Sequence, residues 1–132
     1  MSTVDVIAII SGIINIILVV CVYRAGGRRN EYDFIDNQIA DILKIQMTHP
    51  SYRRDDHLAE LEEGSLDALR YEAYCCLVWN SLETMYEKYG ERRLENSTFF
   101  PAMQALARRH KPWMDKIQGA GYARKMRRFL LE

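Results

Sequence analysis

The sequence has few of the residues on which metal sites and nucleophilic sites depend. It contains three histidines and three cysteines among 132 residues. His49, His57 and His110 do not pair at the helical spacing of zinc ligands, so we expect no bound metal. The adjacent Cys75 and Cys76 make a poor disulfide pair, which agrees with a reducing cytosol.

Other catalytic and cofactor motifs are missing as well. The glycines of AGGRR have neither the Walker spacing nor the dinucleotide-binding pattern. The acidic cluster at residues 55–63 lacks the alternating ligands and the glycine of a calcium loop, and we interpret it as a solvated surface. Cys75 and Cys76 belong to the helix expected to be most buried, where thiols are usually inert. We therefore expect no catalytic residue, no cofactor and no enzymatic activity.

One long apolar run dominates the N-terminal part. Residues 6–23, VIAIISGIINIILVVCVY, carry no charge, and at about 1.5 Å per helical residue they extend roughly 27 Å, close to the hydrocarbon thickness of a bilayer. The preceding MSTVD has no basic residue, and the run ends in VYRAGG rather than in a typical cleavage site. We therefore expect a transmembrane helix rather than a cleaved signal peptide.

Charges beside the run predict its orientation. Arg24, Arg28 and Arg29 follow it, whereas Asp5 carries the only side-chain charge before it. The positive-inside rule then places the N-terminus outside and the C-terminal part in the cytoplasm, across the inner (plasma) membrane.

Small and polar residues share one face of the run. Ala8 and Gly12 form a small-xxx-small pair, and Ser11 and Asn15 add polar groups beside them. We expect two kinds of partner, the lipid bilayer and other membrane helices, in a homo-oligomer or in a larger membrane complex. An isolated anchor whose asparagine bonds its own backbone is the alternative. No specific nucleic-acid partner is predicted.

The rest of the chain predicts one helical domain. We assign residues 1–27 to a membrane anchor with a glycine hinge and residues 28–132 to a cytosolic helical bundle. The sequence has no strand-like alternation, repeat or low-complexity stretch, so the predicted fold class is all-α. A helix is expected from about residue 30 to residue 48, followed by a turn and by a short acidic helix, HLAELEE, capped by Asp55 or Asp56. The expected inner face of the first of these helices comprises Tyr32, Ile35, Ile39, Ile42, Leu43 and Gln46.

The segment LDALRYEAYCCLVWNSLETMYEKY is predicted to be the central helix, capped by Ser65 and ended by Gly90. It has two apolar faces, so it needs neighbours on two sides. One face comprises Leu66, Leu69, Ala73, Cys76, Leu77 and Asn80, and the other comprises Tyr71, Cys75, Val78, Leu82, Met85 and Tyr89. Asn80 is expected to cap a backbone group or to pair with a tyrosine or an arginine inside the bundle.

The C-terminal part predicts two more helices. NSTFFPAMQALARRHKPW is expected to start at Ser97 or Thr98, with Pro101 in its first turn, and to end at Pro112. After one further turn, GAG interrupts the chain and YARKMRRFLLE forms an amphipathic helix.

Charge is distributed unevenly along the chain. Residues 55–95 hold eleven acidic and four basic side chains, whereas residues 101–132 hold eight basic and two acidic ones. Either these segments face solvent and each other, or the C-terminal cations contact anionic lipid head groups. The predicted inner-leaflet basic residues are Arg24, Arg28, Arg29, Arg124, Lys125, Arg127 and Arg128.

The order of a membrane helix, a basic joint, DFIDNQIADILKIQMTHPSYR, RYEAYCCLVWNSLETMYEKYG and FFPAMQALARRHKPW resembles a group of uncharacterised bacterial membrane-anchored helical proteins. The resemblance covers most of the chain and implies an architecture but no activity. The layout is also similar to the HEPN-like membrane accessory proteins of RNA-targeting CRISPR systems, which implies assembly into membrane pores. The HEPN nuclease signature, an arginine and a histidine with four to six residues between them, is missing, because only three residues lie between Arg53 and His57. RNA cleavage is therefore disfavoured.

These patterns leave three functions open. The first is a non-enzymatic interaction or regulatory module tethered to the membrane, and it is our prediction because it requires least of the sequence. The alternative is a homo-oligomeric membrane effector or pore that uses the small and polar face of the membrane helix. A ligand sensor or enzyme with a pocket around Tyr71, Trp79 and Asn80 is the third.

Overall fold

The computed structural model describes the backbone of residues 2–132, together with their side chains except those of residues 25–32. The described residues contain helices and no strand, which confirms the predicted all-α fold class. The helices are α1 (Thr3–Thr48), α2 (His57–Glu60), α3 (Leu66–Glu95), α4 (Phe100–Arg109), α5 (Lys111–Lys116) and α6 (Arg124–Leu131), with a 3-10 turn at Pro50–Arg53.

The chain divides into two compact units, Met1–Asn37 and Gln38–Glu132. The first unit is the N-terminal part of α1, and the second contains the end of α1 together with all the later helices. The domain boundary predicted from the sequence lies earlier, after residue 27, at the glycine pair.

The predicted break between two N-terminal helices is wrong, because α1 is one helix from Thr3 to Thr48. A capping box begins it: the Asp5 backbone N–H donates to Ser2 Oγ at 3.2 Å, and the Ser2 N–H donates to the Asp5 carboxylate at 3.0 Å. A glycine in a helix costs about 1 kcal/mol but keeps its backbone donor, so the pair Gly26 and Gly27 weakens the helix without ending it.

Two sequence predictions for α3 are confirmed, the cap at Ser65 and the interruption of the helix at Gly90. Ser65 Oγ accepts a hydrogen bond from the Ala68 backbone N–H at 3.1 Å, as an N-cap does. Gly90 leaves the helical conformation, with φ 76° and ψ 165°, a region that is open mainly to glycine. The predicted helix thus stops at Gly90, and after this kink a second helical stretch, which the sequence did not predict, continues to Glu95.

Two capping predictions are corrected. Phe99, not Ser97 or Thr98, occupies the N-cap position of α4, and the Ser97 hydroxyl instead donates to the Leu94 carbonyl at 2.7 Å. The acidic helix α2 is only four residues long, and no side chain caps it.

Pro112 begins a helix instead of ending one. Helix α4 ends at Arg109, and the proline lies in the first turn of α5. Proline is tolerated there because the first turn of a helix does not use its backbone N–H donors.

The core of the second unit forms on one of the two apolar faces of α3. Helices α4 and α6 pack against α3 and against each other. Lys116 Nζ lies 2.5 Å from a Glu72 carboxylate oxygen, and Arg109 Nε lies 3.6 Å from Asp55, so basic and acidic segments face each other in part. The buried residues of α3 are Ala68, Tyr71, Tyr74, Cys75, Val78, Trp79, Ser81, Leu82, Met85, Tyr89 and Leu94.

Candidate functional site

One helix is long and apolar enough to span a membrane. The segment Thr3–Arg24 has 22 residues and a mean hydropathy of 2.8, and none of it is buried. At 1.5 Å per residue it extends about 33 Å, slightly more than the hydrocarbon core of a bilayer.

The four residues predicted to contact another membrane helix lie on one face of α1. Ala8, Ser11, Gly12 and Asn15 follow the three-, four- and seven-residue spacing of a helical stripe, and all four are exposed. A Cβ atom added at Gly12 would meet no heavy atom within 4 Å. The stripe therefore leaves room for a closely packed helix.

The predicted basic residues differ in their environments. Arg24 is exposed, while the side chains of Arg28 and Arg29 lie outside the described residues. Arg127 is half-buried, and its guanidinium lies directly against Gly119, in the turn before α6. A side chain at Gly119 would collide with that guanidinium, and the φ of 69° at this position also favours glycine. The exposed cations of α6 are Arg124, Lys125 and Arg128.

A buried polar network lies at the centre of the second unit. His110 is fully buried, and its Nε2 lies 3.2 Å from the Tyr74 hydroxyl while its Nδ1 lies 3.1 Å from the Tyr71 hydroxyl. The Gln46 side-chain amide donates to the Tyr74 hydroxyl at 2.6 Å. Cys75 Sγ lies 3.8 Å from His110 Nδ1. Side chains of two helices, α1 and α3, thus meet at one histidine, which itself joins α4 to α5.

One proton arrangement satisfies the whole network. Because Gln46 donates to the Tyr74 oxygen, the Tyr74 hydroxyl is free to donate to Nε2 of His110. Nδ1 then carries the ring proton and donates to the Tyr71 oxygen, and the Tyr71 hydroxyl in turn bonds the Cys75 thiol. Both ring nitrogens of His110 and both phenol hydroxyls therefore have partners, which is the condition under which a buried polar network stabilises a fold.

Burial makes these groups poor acids and bases. It lowers the pKa of His110 to about 4, with a further contribution from the nearby Arg109 guanidinium. It raises the pKa of the Cys75 thiol to about 12 and raises the pKa values of Tyr71 and Tyr74 as well. A neutral histidine and a protonated thiol at neutral pH are suited to packing rather than to nucleophilic attack.

An aromatic layer adjoins this network. Tyr52 stacks on His49, with ring centroids 4.8 Å apart, and also contacts Tyr71, Tyr74 and His57. Nδ1 of His57 is buried and has no hydrogen-bond partner among the described residues. Burial holds the pKa of His57 below its usual value, and the charge of Arg54 contributes in the same direction.

The predicted pocket around Tyr71, Trp79 and Asn80 is not formed, because these residues lie in different environments. Trp79 is fully buried and its indole N–H donates to the His110 carbonyl at 3.2 Å, while Asn80 is exposed. Asn80 does pair with a tyrosine, since the Tyr122 hydroxyl donates to its Oδ1 at 2.7 Å, but this contact lies at the surface.

Tyr122 contacts Cys76 and Asn80 on the second apolar face of α3, but the leucines of that face have no cover within the described part of the chain. Leu66, Leu69 and Leu77 are 62%, 57% and 39% exposed. The prediction of neighbours on two sides is therefore met on one side. A groove of about 440 Å³ runs beside this face, and an adjoining cavity of about 190 Å³ shares three residues with it. The groove is lined by Ile45, His49, Tyr52, Arg70, Ala73, Tyr74 and Leu77.

The network around His110 is not predicted from the sequence. Gln46 and Tyr71 lie on predicted apolar faces, and a polar residue on an apolar face signals a buried hydrogen bond. The partner of these two residues could not be found in that way, because His110 lies 36 residues beyond Tyr74 in the chain.

Comparisons of the chain with protein-family models, with curated proteins and with solved structures found no match. Within the described residues, no group of three or more histidine, cysteine, aspartate or glutamate side chains could hold a metal ion.

Proposed function

We propose that this chain is a single-pass membrane protein whose helical domain acts at the cytosolic surface as a non-enzymatic interaction module. The observation that carries the proposal is the complete exposure of the apolar segment Thr3–Arg24. The rest of the described chain does not cover this apolar segment, and burial in lipid would remove its surface from water.

The environments of the polar groups support a binding role over catalysis. The most extensive side-chain hydrogen-bond network is closed, and its histidine and thiol have pKa values far from neutral pH. The leucine face of α3, which has no cover among the described residues, is apolar and exposed, as binding surfaces of soluble domains are.

Protease protection in sealed membrane vesicles of known orientation tests the topology. With an epitope tag at each end, we expect the C-terminal tag to be digested only in vesicles whose cytosolic side faces out, and the N-terminal tag only in the opposite orientation. Digestion of both tags in intact vesicles of one orientation would contradict a single membrane span.

A homo-oligomeric membrane effector is the second candidate. The stripe of Ala8, Ser11, Gly12 and Asn15 supports it, because an asparagine in hydrocarbon gains about 1 kcal/mol by bonding across helices. Dye release from liposomes containing the purified full chain tests this function. If Asn15→Leu abolishes dye release and the control Ile14→Leu preserves it, the result favours the pore. If the unmodified chain releases no more dye than protein-free liposomes do, the result favours the tether.

A further inference from the structure

The uncovered face of α3 is a stripe of large apolar side chains at the spacing of a helix–helix contact. Leu66, Leu69, Ala73 and Leu77 follow one another at intervals of three and four residues. The three leucines are more than one-third exposed. A continuous apolar stripe at this spacing suits an amphipathic helix laid along it.

The groove beside the stripe gives this surface a shape. It opens between Ile45 of α1 and Ala73 and Leu77 of α3, all within the second unit, and its volume is about 440 Å³. Ala73 is the small residue of the stripe, so the groove has room there for a large side chain from a partner. The surface therefore combines an exposed stripe with a recess for an anchoring residue.

The charges at one end of the stripe determine which sign of charge a partner should carry. Glu62 and Glu63 lie in the turn just before the Ser65 cap and the start of α3, are exposed, and form no ion pair among the described residues. The charge of Glu63 also acts on Lys116, but that lysine is already paired with Glu72. Asp67 is also exposed, and its carboxylate lies 3.9 Å from Arg70, the one cation in the groove. Three carboxylates against one guanidinium leave this end negative, which attracts cations and disfavours an acidic partner or an anionic membrane.

We propose that the surface formed by the α3 stripe and its groove binds a basic amphipathic helix of a second protein, with one large apolar side chain of that helix seated at Ala73. This inference rests on the proposed function, since it names the kind of partner that the interaction module takes. A second copy of this chain is a poorer fit, because the same acidic end would face itself.

Fluorescence anisotropy with a defined probe tests the proposal. The full chain is placed in phosphatidylcholine nanodiscs, and an 18-residue helical peptide carries leucines at three- and four-residue spacing with lysines elsewhere. We expect this peptide to bind at least about tenfold more tightly than one in which glutamates replace the lysines, after subtraction of binding to empty nanodiscs.

Two matched substitutions locate the site. Ala73→Trp fills the groove and should weaken binding of the lysine peptide at least about tenfold, whereas Ala105→Trp, at an exposed alanine of α4, should change it less than about twofold. Replacing Glu62 and Glu63 with lysine should reverse the preference between the two peptides.

The proposal is overturned if the peptide binds equally to the Ala73→Trp and Ala105→Trp chains, or if the glutamate peptide binds more tightly to the unmodified chain. It is also overturned if each nanodisc holds a pair of chains and Ala73→Trp separates them. A chain that enters nanodiscs but binds no peptide refutes this inference alone. A chain that does not enter them refutes the proposed function.

Discussion

The Tyr74 hydroxyl lies 3.2 Å from Nε2 of His110, and this contact joins α3 to the turn between α4 and α5 at the centre of the core. Because both residues are buried, neither can exchange its partner for water. The contact therefore ties helix packing to one hydrogen-bond geometry.

Replacing His110 should destabilise the second unit severely. His110→Ala leaves a cavity and removes the partner of two buried phenols, so we expect the free energy of unfolding to fall by about 2–4 kcal/mol. Chemical denaturation of the full chain, followed by the fluorescence of the buried Trp79 and Trp113, measures the loss. The control is His49→Ala at an exposed ring stacked on Tyr52, with an expected loss below about 1 kcal/mol. Equal losses in the two variants would contradict a structural role for the network.

Stability should fall as the pH falls below neutrality. The pKa of His110 is lowered to about 4 from 6.5, so the unfolded chain binds a proton more readily than the folded one. The contribution of neutral His110 to the free energy of unfolding is complete above pH 6.5. It is lost as the pH falls from 6.5 to 4, by roughly 3 kcal/mol if no other group titrates. The pKa of His57 is shifted in the same direction.

Denaturation of the unmodified chain and of His110→Gln at pH 7 and pH 5 isolates this contribution. We expect the variant to be less stable at pH 7 and to lose less stability on acidification. A parallel loss in both chains would assign the acid sensitivity to other groups.

Cys75 should resist thiol reagents in the folded protein. It is fully buried, and burial raises the pKa of its thiol to about 12. In a chain carrying Cys21→Ser and Cys76→Ser, maleimide should label Cys75 at least about a hundredfold more slowly under native conditions than in denaturant. Labelling at the same rate in both would place Cys75 at the surface.

Loss of the α3 cap should have a moderate cost. Ser65→Ala removes the acceptor of the Ala68 N–H, so we expect a loss of about 1 kcal/mol in the free energy of unfolding. Thr98→Ala is the matched control, because Thr98 is exposed and does not cap α4, and its expected cost is below about 0.5 kcal/mol. A similar cost in both variants would argue that the Ser65 cap contributes little.

Sequence patterns that span only a few residues predicted the helix cap and the buried helix face, because interactions between residues close in sequence determine both. The Ser65 cap and the buried face of α3 follow from a hydrogen bond across three residues and from a 3.6-residue period. The same reasoning failed at Ser97 and Pro112, because each residue suits both the end of one helix and the start of the next. Choosing between those positions depends on how the neighbouring helices pack.

The hydrogen-bond network of the core could not be predicted, because it joins residues that are far apart in the sequence. The spacing of Tyr71 and Tyr74 predicts a shared helical face but gives no position for His110. The exposed leucines of α3 show a different limit. Periodicity identifies an apolar face, but it does not distinguish a face covered by the same chain from one left open.

Alkaline extraction of membranes from cells that express the full chain tests the membrane-spanning helix most directly. We expect the protein to remain in the membrane pellet. A chain carrying Ile10→Asp, Ile13→Asp and Ile17→Asp should instead enter the supernatant, because each buried aspartate costs about 3 kcal/mol in the bilayer. Recovery of the unmodified chain in the supernatant would contradict a transmembrane Thr3–Arg24 segment.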